Sequence, residues 1–319
     1  MLLVADGKPS DSIEINKTMT IFNALRAEFG ERLQENVMLA PFTSARIGGP
    51  ADALLTVKSA DELSATMARL WELGVPTILL GGGSNVLVSD RGVRGVVVLN
   101  RAKDIQFADG DQPKVRAESG ATFSNIANLA AEYGLAGLEW AATIPGTVGG
   151  AVYGNAGAFG GNMAGNLICA DLLTEHGRER WPVEKMEYGY RTSALKRSTL
   201  KFVILAAEMH LEHGAKEAVR FKISEFVSKR KSTQPPGASL GSMFKNPPGD
   251  YAGRLIEAAG LKGTRIGNAE ISTVHGNFFI NHGDTKASDI RKLIELAQHT
   301  VAEIFSVKLE LEIELIGEW

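Results

Sequence analysis

The chain has 319 residues, 44% of them apolar and 22% charged, and its net charge is −3. This composition is typical of a globular protein with room for two domains, and it disfavours a dedicated nucleic-acid binder because no basic stripe dominates. The single cysteine, Cys169, excludes an internal disulfide framework, and we see neither a signal-like segment nor a run of about 18 apolar residues. We therefore expect a cytoplasmic protein without membrane insertion.

Predicted helices and strands alternate along the first part of the chain. Apolar residues at helical spacing, or a capping box as at Ser59 and Glu62, predict helices over residues 20–35, 59–74, 122–133, 215–230, 251–259 and 286–305. Apolar or alternating runs predict strands over residues 53–57, 75–80, 96–99, 115–118, 167–173, 202–211, 277–281 and 308–318. Residues 144–161 are predicted to be loop because they are rich in glycine. The composition changes near Glu212, which predicts a domain boundary at 212–215.

Three consecutive glycines, Gly81–Gly83, follow the predicted strand over residues 75–80. Glycine lets a backbone approach a ligand with its N–H groups exposed, and Ser84 and Asn85 add hydrogen-bonding side chains. The segment predicts a phosphate-type ligand, the alternative being a tight turn between strands. Residues 81–90 lack the lysine of a Walker loop, and no GxGxxG occurs, so neither a triphosphate loop nor a Rossmann site is indicated.

A second glycine-rich element, residues 144–150, favours a ligand long enough to touch both segments. The pyrophosphate of FAD fits that description.

Short matches to other motifs are discounted. Residues 237–241 match GxSxG, but proline-rich sequence surrounds them where a nucleophile elbow needs a strand and a helix. Ser193 and Lys196 match SxxK without its partner motifs. His210 and His213 are the one close histidine pair, and no metal site is predicted without cysteines or an HExxH helix.

The closing segment, residues 308–318, alternates apolar and acidic residues. A strand here would place Leu309, Leu311, Ile313 and Leu315 on one face and Glu310, Glu312 and Glu314 on the other. The simplest interpretation of the glutamate row is a solvated face. The alternative is a row beside a cation, because like charges on one edge repel; Arg191 or the basic residues 229–231 could supply that cation.

Six motifs occur in an order that resembles one enzyme family. They are Arg46-Ile-Gly-Gly-Pro-Ala51, Gly81-Gly-Gly-Ser-Asn-Val-Leu-Val88, Ile144-Pro-Gly-Thr-Val-Gly-Gly-Ala151, Asn155-Ala-Gly157, Tyr190-Arg-Thr-Ser193 and Gly241-Ser-Met-Phe-Lys-Asn-Pro247. Together with residues 309–313 and Ile316-Gly317 they resemble the UDP-N-acetylenolpyruvoylglucosamine reductases, the MurB family. The resemblance covers about residues 37–319 and is to the shorter form that lacks a tyrosine-bearing insertion.

The resemblance implies an α+β fold with two domains. Residues 37–212 would form a two-lobed FAD-binding domain of the vanillyl-alcohol-oxidase type, and residues 213–319 a C-terminal α+β substrate-binding domain, after an N-terminal extension over 1–36. It implies reduction of the enolpyruvyl ether of UDP-N-acetylglucosamine to UDP-N-acetylmuramate, with NADPH as co-substrate and FAD as cofactor. This reaction belongs to peptidoglycan precursor synthesis, and so to cell-wall biogenesis, cell shape and cell division.

The resemblance also implies roles for three side chains. Arg191 would stabilise the negative charge that follows hydride transfer to C3, and Ser242 would donate a proton to C2. Glu312, selected over Glu310 and Glu314 by its place in the family's closing motif, would assist beside the arginine. Leu311 stands where the family usually has proline. This difference should alter the rigidity of the strand more than the chemistry.

Binding roles follow from the same motifs. FAD would be held by Arg46, Ile47, Gly48, Gly49, Gly81, Gly82, Gly83, Ser84, Asn85, Ile144, Gly146, Thr147, Gly149, Gly150, Asn155, Ala156 and Gly157. The UDP-sugar would be held by Tyr190, Lys229, Arg230, Gln234, Lys245 and Asn246, with the diphosphate among the basic residues and their amide neighbours. Related oxidases tether FAD through histidine or cysteine. Ser84 stands where such a histidine would be and Cys169 is isolated, so non-covalent FAD is expected.

Two other functions fit parts of the sequence. One is a flavin-dependent oxidase of the same fold that acts on a small alcohol or sugar, and the other is a binding module that has lost catalysis. The motif at residues 241–246 disfavours the oxidase, and the presence of Arg191, Ser242 and Glu312 together disfavours the module.

Overall fold

The structure is a computed structural model that describes residues 22–319. Residues 20 and 21, where the first predicted helix begins, lie outside this range. The helix α1 covers residues 22–29 and a short 3-10 helix, Gly30–Arg32, follows it. Leu25 is fully buried and Leu33 is 8% exposed, as the predicted apolar spacing requires, but the predicted helix end at residue 35 is wrong because Gln34 begins a strand that pairs within the sheet.

The first lobe is a mixed sheet with one helix against it. It contains β1 (Gln34–Met38), β2 (Pro50–Val57), α2 (Ala60–Glu72), β3 (Thr77–Leu80), β4 (Val86–Val88) and β5 (Val93–Asn100), with a 3-10 helix at Ala40–Phe42. The sheet order is β1-β2-β5-β3, in which β2, β5 and β3 are parallel and β1 is antiparallel. The Ser59 hydroxyl accepts from the Glu62 N–H at 3.1 Å, which confirms the predicted start of α2.

The second lobe is an antiparallel sheet covered by helices. It contains β6 (Ile105–Ala108), β7 (Lys114–Glu118), α3 (Phe123–Glu132), β8 (Leu135–Ala136), α4 (Val148–Gly154), β9 (Gly157–Ala158), β10 (Gly161–Asn162), α5 (Met163–Asn166), β11 (Leu167–Thr174), β12 (Gly177–Pro182), α6 (Ala194–Arg197), β13 (Phe202–His210) and β14 (Glu212–His213). Two 3-10 helices, Glu139–Thr143 and Val183–Met186, lie between them. The sheet order is β12-β11-β13-β7-β6, and Phe123 and Ile126 are fully buried in the core against it.

The prediction that residues 144–161 contain no helix is wrong. Residues 148–154 form α4 although three of its seven residues are glycine. Val148 and Val152 are fully buried in the core of the second lobe, and this burial outweighs the low helix propensity of glycine.

The C-terminal part is an antiparallel sheet packed against a long helix. It contains α7 (Lys216–Thr233), β15 (Ala238–Ser242), α8 (Ala252–Ala258), β16 (Arg265–Ile266), β17 (Ala269–Ile271), β18 (Phe278–Asn281), α9 (Ala287–Phe305) and β19 (Glu314–Ile316). The sheet order is β15-β18-β17-β16, and the fully buried Phe244 and Leu293 lie in the core between sheet and helix.

The closing strand is shorter than the sequence predicts. Residues 306–310 are irregular, Leu311 makes a single bridge to Phe244, and the chain bends at Glu312 and Ile313 before β19 begins. Leu309 and Ile313 are buried as predicted, whereas Leu311 and Leu315 are only half-buried. The bend arises where the segment leaves one sheet partner and joins another.

Three contacts join the parts of the chain. The strand β19 pairs in parallel with β4 of the first lobe. The carboxylate of Asp90 accepts from the N–H groups of Ala287 and Ser288 at 2.7 and 3.0 Å, and so caps the N-terminus of α9 from the first lobe. The helix α7 packs its Val219 and Ile223 on α3. The boundary at 212–215 stays a prediction.

No helix within residues 22–319 is both long and apolar enough to cross a membrane.

Candidate functional site

Arg191 is presented by a tight turn in the second lobe. Gly189 and Thr192 exchange backbone hydrogen bonds of 3.1 and 3.3 Å, so Tyr190 and Arg191 occupy the tip. Arg191 has φ of +54°, a left-handed conformation that is unfavourable for a non-glycine residue. The Asn155 side-chain amide donates to the Gly189 carbonyl at 2.9 Å and holds the turn in place.

Arg191 lies against Glu312 across the interface between the second lobe and the closing segment. Its Nε is 2.9 Å from Oε1 of Glu312, and the two side chains are 26% and 17% exposed. The Nε–H is buried and points at no hydrogen-bond acceptor within residues 22–319. The contact with Glu312 is therefore an ion pair and not a well-directed hydrogen bond. Burial raises the pKa of Glu312 above its ordinary value, although the charges of Arg191 and Lys196 act against it.

Ser242 is brought next to this pair by backbone pairing. It is the last residue of β15, and the segment after it runs beside the closing segment. The Glu312 N–H donates to the Met243 carbonyl and the Lys245 N–H to the Glu310 carbonyl, both at 2.9 Å. Ser242 therefore lies one residue before the segment that pairs with Glu312, and Glu312 in turn contacts Arg191 of the second lobe.

Each glutamate of the row Glu310, Glu312 and Glu314 has its own cation. The pairs are Glu310 with Lys245 at 3.3 Å, Glu312 with Arg191 at 2.9 Å and Glu314 with Lys196 at 2.7 Å. The row is therefore not simply a solvated face. Sequence reasoning considered Lys196 only within the SxxK match, and missed this pairing. The available signal was its place one helical turn beyond the Tyr190–Ser193 motif.

Arg230 is anchored to the second lobe at the end of the 3-10 helix Glu139–Thr143. It donates through Nη1 to the carbonyl and, at 3.1 Å, to the hydroxyl of Thr143, and through Nε to Gln234 at 2.6 Å. Burial, and secondly the charge of Arg191, lower the pKa of Arg230. Arg230 is therefore a half-buried cation without a carboxylate partner among the described residues.

The remaining substrate candidates are divided between two places. The Asn246 N–H donates to the Tyr190 hydroxyl at 3.4 Å, and the Asn246 side chain accepts from the Ala252 N–H at the start of α8. Tyr190 is 58% exposed, at the edge of the site. Lys229 lies apart from them, 6.0 Å above the ring of Phe159.

The two glycine-rich segments pack directly against each other. A Cβ on Gly82 would lie 3.0 Å from Cα of Gly146, and one on Gly81 would lie 2.5 Å from Oγ1 of Thr147. The Ser84 hydroxyl donates to the Pro145 carbonyl at 3.3 Å. These glycines are thus required for loop packing, in addition to any approach to a ligand.

A cleft of about 500 Å³ lies beside the packed loops, between the two lobes. Gly82, Gly146 and Thr147 form one wall, and Arg101 and Lys103, which follow β5, lie on another. The Arg101 guanidinium donates to the Gly81 carbonyl at 2.8 Å, and burial lowers its pKa. Bare backbone facing two cations suits an extended anionic ligand such as the diphosphate of FAD. The sequence did not lead us to predict a role for Arg101 or Lys103, although both closely follow β5, which ends beside the glycine-rich loops.

Other residues predicted to bind FAD have structural partners. Ile47 is buried and its N–H donates to the Thr43 hydroxyl, and Gly49 packs against the carbonyl of Asp90. Arg46 is exposed, with φ of +55°. Asn155 uses both ends of its amide within the protein.

The other members of that set vary in exposure. Gly150 is exposed, and Gly149 packs on Ser119. Gly48, Ile144, Ala156 and Gly157 are half-buried.

Within residues 22–319, no group of three or more His, Cys, Asp or Glu residues is arranged to hold a metal ion.

Two family models match the chain. One described as an FAD-binding domain matches residues 51–180, and one described as the C-terminal domain of UDP-N-acetylenolpyruvoylglucosamine reductase matches residues 232–316. These matches, with the mixed helix and strand content, confirm the predicted α+β class and the order of a flavin domain followed by a C-terminal domain.

Relatives match over nearly the whole chain. UDP-N-acetylenolpyruvoylglucosamine reductase of Rubrobacter xylanophilus is 44% identical over 92% of this chain and 96% of its own length. That of Chloroflexus aggregans is 43% identical over 89% and 97%. The crystal structure of the reductase from Thermus caldophilus superposes with a TM-score of 0.76 at 35% identity, covering 89% of this chain and 98% of that one. The chain therefore belongs to the UDP-N-acetylenolpyruvoylglucosamine reductase family and is a flavin-dependent oxidoreductase.

Proposed function

We propose that this protein reduces the enolpyruvyl ether of UDP-N-acetylglucosamine to UDP-N-acetylmuramate, with NADPH as reductant, in cytoplasmic peptidoglycan precursor synthesis. The observation that carries the proposal is the meeting of Arg191, Glu312 and the strand end that bears Ser242. The reaction leaves negative charge beside a carboxylate and then needs one proton at carbon. A buried cation, a carboxyl group and a hydroxyl group supply those two requirements.

FAD would lie along the cleft between the lobes. Its diphosphate would meet the backbone of Gly82 and Gly146 and the charges of Arg101 and Lys103, which line that cleft. When bound, FAD supplies the hydride chemistry that no side chain provides. Non-covalent binding is supported by a serine at position 84 and by the burial of Cys169, whose Sγ accepts from Arg180.

Arg191 and Arg230 would bind the anionic enolpyruvyl group. The guanidinium of Arg191, held by its ion pair with Glu312, would supply a fixed positive charge for the negative charge that develops on the substrate carboxylate. Arg230, anchored to Thr143, would add a second cation to the same group. In this proposal Arg230 serves the carboxylate, and the UDP diphosphate is left to Lys245, Asn246, Gln234 and Lys229.

Ser242 would donate the proton to C2, and Glu312 would support the negative intermediate that precedes it. A serine hydroxyl is a weak acid, so its proton transfer requires a strongly basic carbanion and nearby positive charge. Arg191 provides that charge. Burial raises the pKa of Glu312, whereas the charge of Arg191 beside it favours the carboxylate.

The proposed function is tested by following the flavin of the purified holoprotein under anaerobic conditions. NADPH should bleach the yellow flavin, and the enolpyruvyl sugar nucleotide should then restore its colour with formation of UDP-N-acetylmuramate. Bleached flavin that the sugar nucleotide fails to reoxidise would overturn the proposal. Bleaching of the flavin by a small alcohol or sugar, with formation of the carbonyl product and reoxidation by oxygen to hydrogen peroxide, would instead indicate the oxidase.

The acid role is tested by Ser242→Ala. We expect bleaching by NADPH at the wild-type rate and reoxidation slowed by about 100-fold or more, because only the second half-reaction needs the proton. Ser239→Ala, in the same strand β15, is the matched control and should leave both half-reactions unchanged. Equal slowing of both half-reactions by Ser242→Ala would contradict the role.

A further inference from the structure

The closing segment is held from two sides at Glu312. On one side, its N–H donates to the Met243 carbonyl of the C-terminal part at 2.9 Å. On the other, the side-chain amide of Asn85 donates through Nδ2 to the Glu312 carbonyl at 3.1 Å. The Glu314 N–H then donates to the Asn85 carbonyl at 2.9 Å. Asn85 therefore makes two hydrogen bonds to the closing segment, one from its side chain to Glu312 and one from Glu314 to its carbonyl.

The Asn85 side chain replaces a missing sheet hydrogen bond. The chain bends at Glu312 and Ile313, and pairing with β4 begins only at Glu314. A half-buried carbonyl at such a bend needs a donor from elsewhere. Asn85 is the residue that supplies it, and this fixes the direction in which the Glu312 side chain leaves the backbone.

Asn85 also belongs to the glycine-rich segment that lines the cleft between the lobes. It follows Gly81–Gly83 and Ser84, whose hydroxyl bonds to the Pro145 carbonyl. The Gly83 carbonyl accepts from the Ser44 N–H at 3.0 Å. The position of Asn85 therefore depends on the packed loop, and its hydrogen bond connects that loop to the backbone at Glu312.

We propose that Asn85 is a positioning residue that orients Glu312 against Arg191 and links the glycine-rich loop to that carboxyl group. The inference rests on the proposed function for the role of Glu312 in the reaction. It differs from the expectation that the Asn85 side chain serves FAD alone, because one of its donors is engaged by the closing segment. A substitution at Asn85 should therefore slow the half-reaction in which Glu312 acts, which is reoxidation of the flavin by the enolpyruvyl sugar nucleotide.

The test replaces the amide by an isosteric group that cannot donate. In Asn85→Asp, the carboxylate faces the Glu312 carbonyl and its N–H donor is removed. In flavin-saturated protein, we expect reoxidation by the enolpyruvyl sugar nucleotide to be slowed on the order of 10- to 100-fold more than bleaching by NADPH, because small displacements of a reacting group are costly. Asn85→Gln, which keeps the amide, should recover part of that rate.

Asn281→Asp is the matched control. Asn281 also donates its side-chain amide, at 2.8 Å, to a backbone carbonyl of the first lobe, that of Ala45. The substitution removes the same kind of hydrogen bond between the same parts of the chain, away from Glu312. We expect it to lower stability while leaving the ratio of the two half-reaction rates unchanged. An equal ratio in Asn85→Asp and Asn281→Asp would mean that Asn85 is merely structural.

Two further measurements keep the inference separate from the proposed function. Asn85→Asp should slow reoxidation little when Glu312→Gln is already present, because residues that act through one another are not additive. Crystal structures of the Asn85→Asp and Asn281→Asp holoproteins should show the Arg191–Glu312 ion pair broken only in the first, whatever substrate the enzyme reduces. An ion pair that stays at 2.9 Å in Asn85→Asp would overturn the inference even if the wild-type protein proves to be the reductase.

Discussion

At the scale of single residues, the site depends on a carboxyl group and an arginine that are both held under strain. Arg191 has a left-handed backbone, and Glu312 is buried enough for its pKa to rise although a guanidinium lies beside it. Such conformations persist only where the surroundings enforce them. Here Asn155 holds the turn of Arg191, and Asn85 holds the bend at Glu312.

The raised pKa predicts how stability changes with pH. Between the ordinary value of 4.5 and the raised value, the folded state binds more protons at Glu312 than the unfolded state does. The protonated Glu312 carboxyl group therefore contributes its full share to the free energy of unfolding when the pH is below its ordinary pKa. This contribution is lost as the pH rises through the raised pKa. Glu312→Gln removes this dependence. We expect the free energy of unfolding of wild type to fall relative to the variant as pH rises across this interval.

Urea unfolding of both flavin-saturated proteins over a pH series measures that difference. A difference that grows in favour of wild type with rising pH would mean that the attraction of Arg191, and not burial, dominates the pKa of Glu312.

At the scale of elements, the glycines of the two glycine-rich segments are required for packing as well as for the approach of a ligand. Gly83 has φ of +62°, and a Cβ there would lie 2.2 Å from the carbonyl oxygen of Phe42. The neighbouring segment at residues 145–147 presses on Gly81 and Gly82 in the same way. The loop therefore forms only if both segments close together.

This packing predicts that Gly83→Ala destabilises the protein and weakens flavin binding. The added methyl group meets backbone that cannot move aside, and we expect a loss of about 2 kcal/mol or more in the free energy of unfolding. Gly154→Ala is the control, because its Cβ would meet open space at the end of α4, and there we expect a change of at most about 1 kcal/mol, toward greater stability. Urea unfolding and the flavin-to-protein ratio after gel filtration measure both effects. Retention of flavin and stability in Gly83→Ala would show that the loop can re-form around a side chain.

At the scale of the whole molecule, one core joins the two lobes of the flavin domain. Leu63 and Leu70 of α2 are fully buried in a cluster that also contains Val203 and Leu205 of β13, which belong to the sheet of the other lobe. A shared core makes the unfolding of one lobe expose apolar surface of the other, so both should unfold in one transition.

Leu205→Ala tests this coupling. Removing a buried leucine side chain should lower the free energy of unfolding by about 2–5 kcal/mol. Far-UV circular dichroism and flavin fluorescence should report the same shifted midpoint. Leu200→Ala, at a position that is 53% exposed, should change the free energy by less than about 0.5 kcal/mol. Separate transitions for the two signals in Leu205→Ala would show that the lobes unfold independently.

The sequence alone determined the periodic elements and the chemical types at the site. Apolar spacing and the capping box at Ser59 located α2 and most of the long strands and helices, because these signals are local. The strand β12 was missed because it carries few apolar residues, and β6 was missed because four residues are too few for a clear periodic signal. The ordered motifs gave the family, and with it the candidates Arg191, Ser242 and Glu312.

Only the tertiary structure decided what those elements and side chains contact. The glycine-rich residues 148–154 form a helix because their apolar side chains are buried. The closing segment bends at Glu312 because it changes from one sheet partner to another there. The pairing of Glu312 with Arg191, of Glu314 with Lys196 and of Asn85 with the Glu312 carbonyl joins residues far apart in the sequence. Such contacts depend on how the lobes close on one another, and no local pattern of residues encodes that geometry.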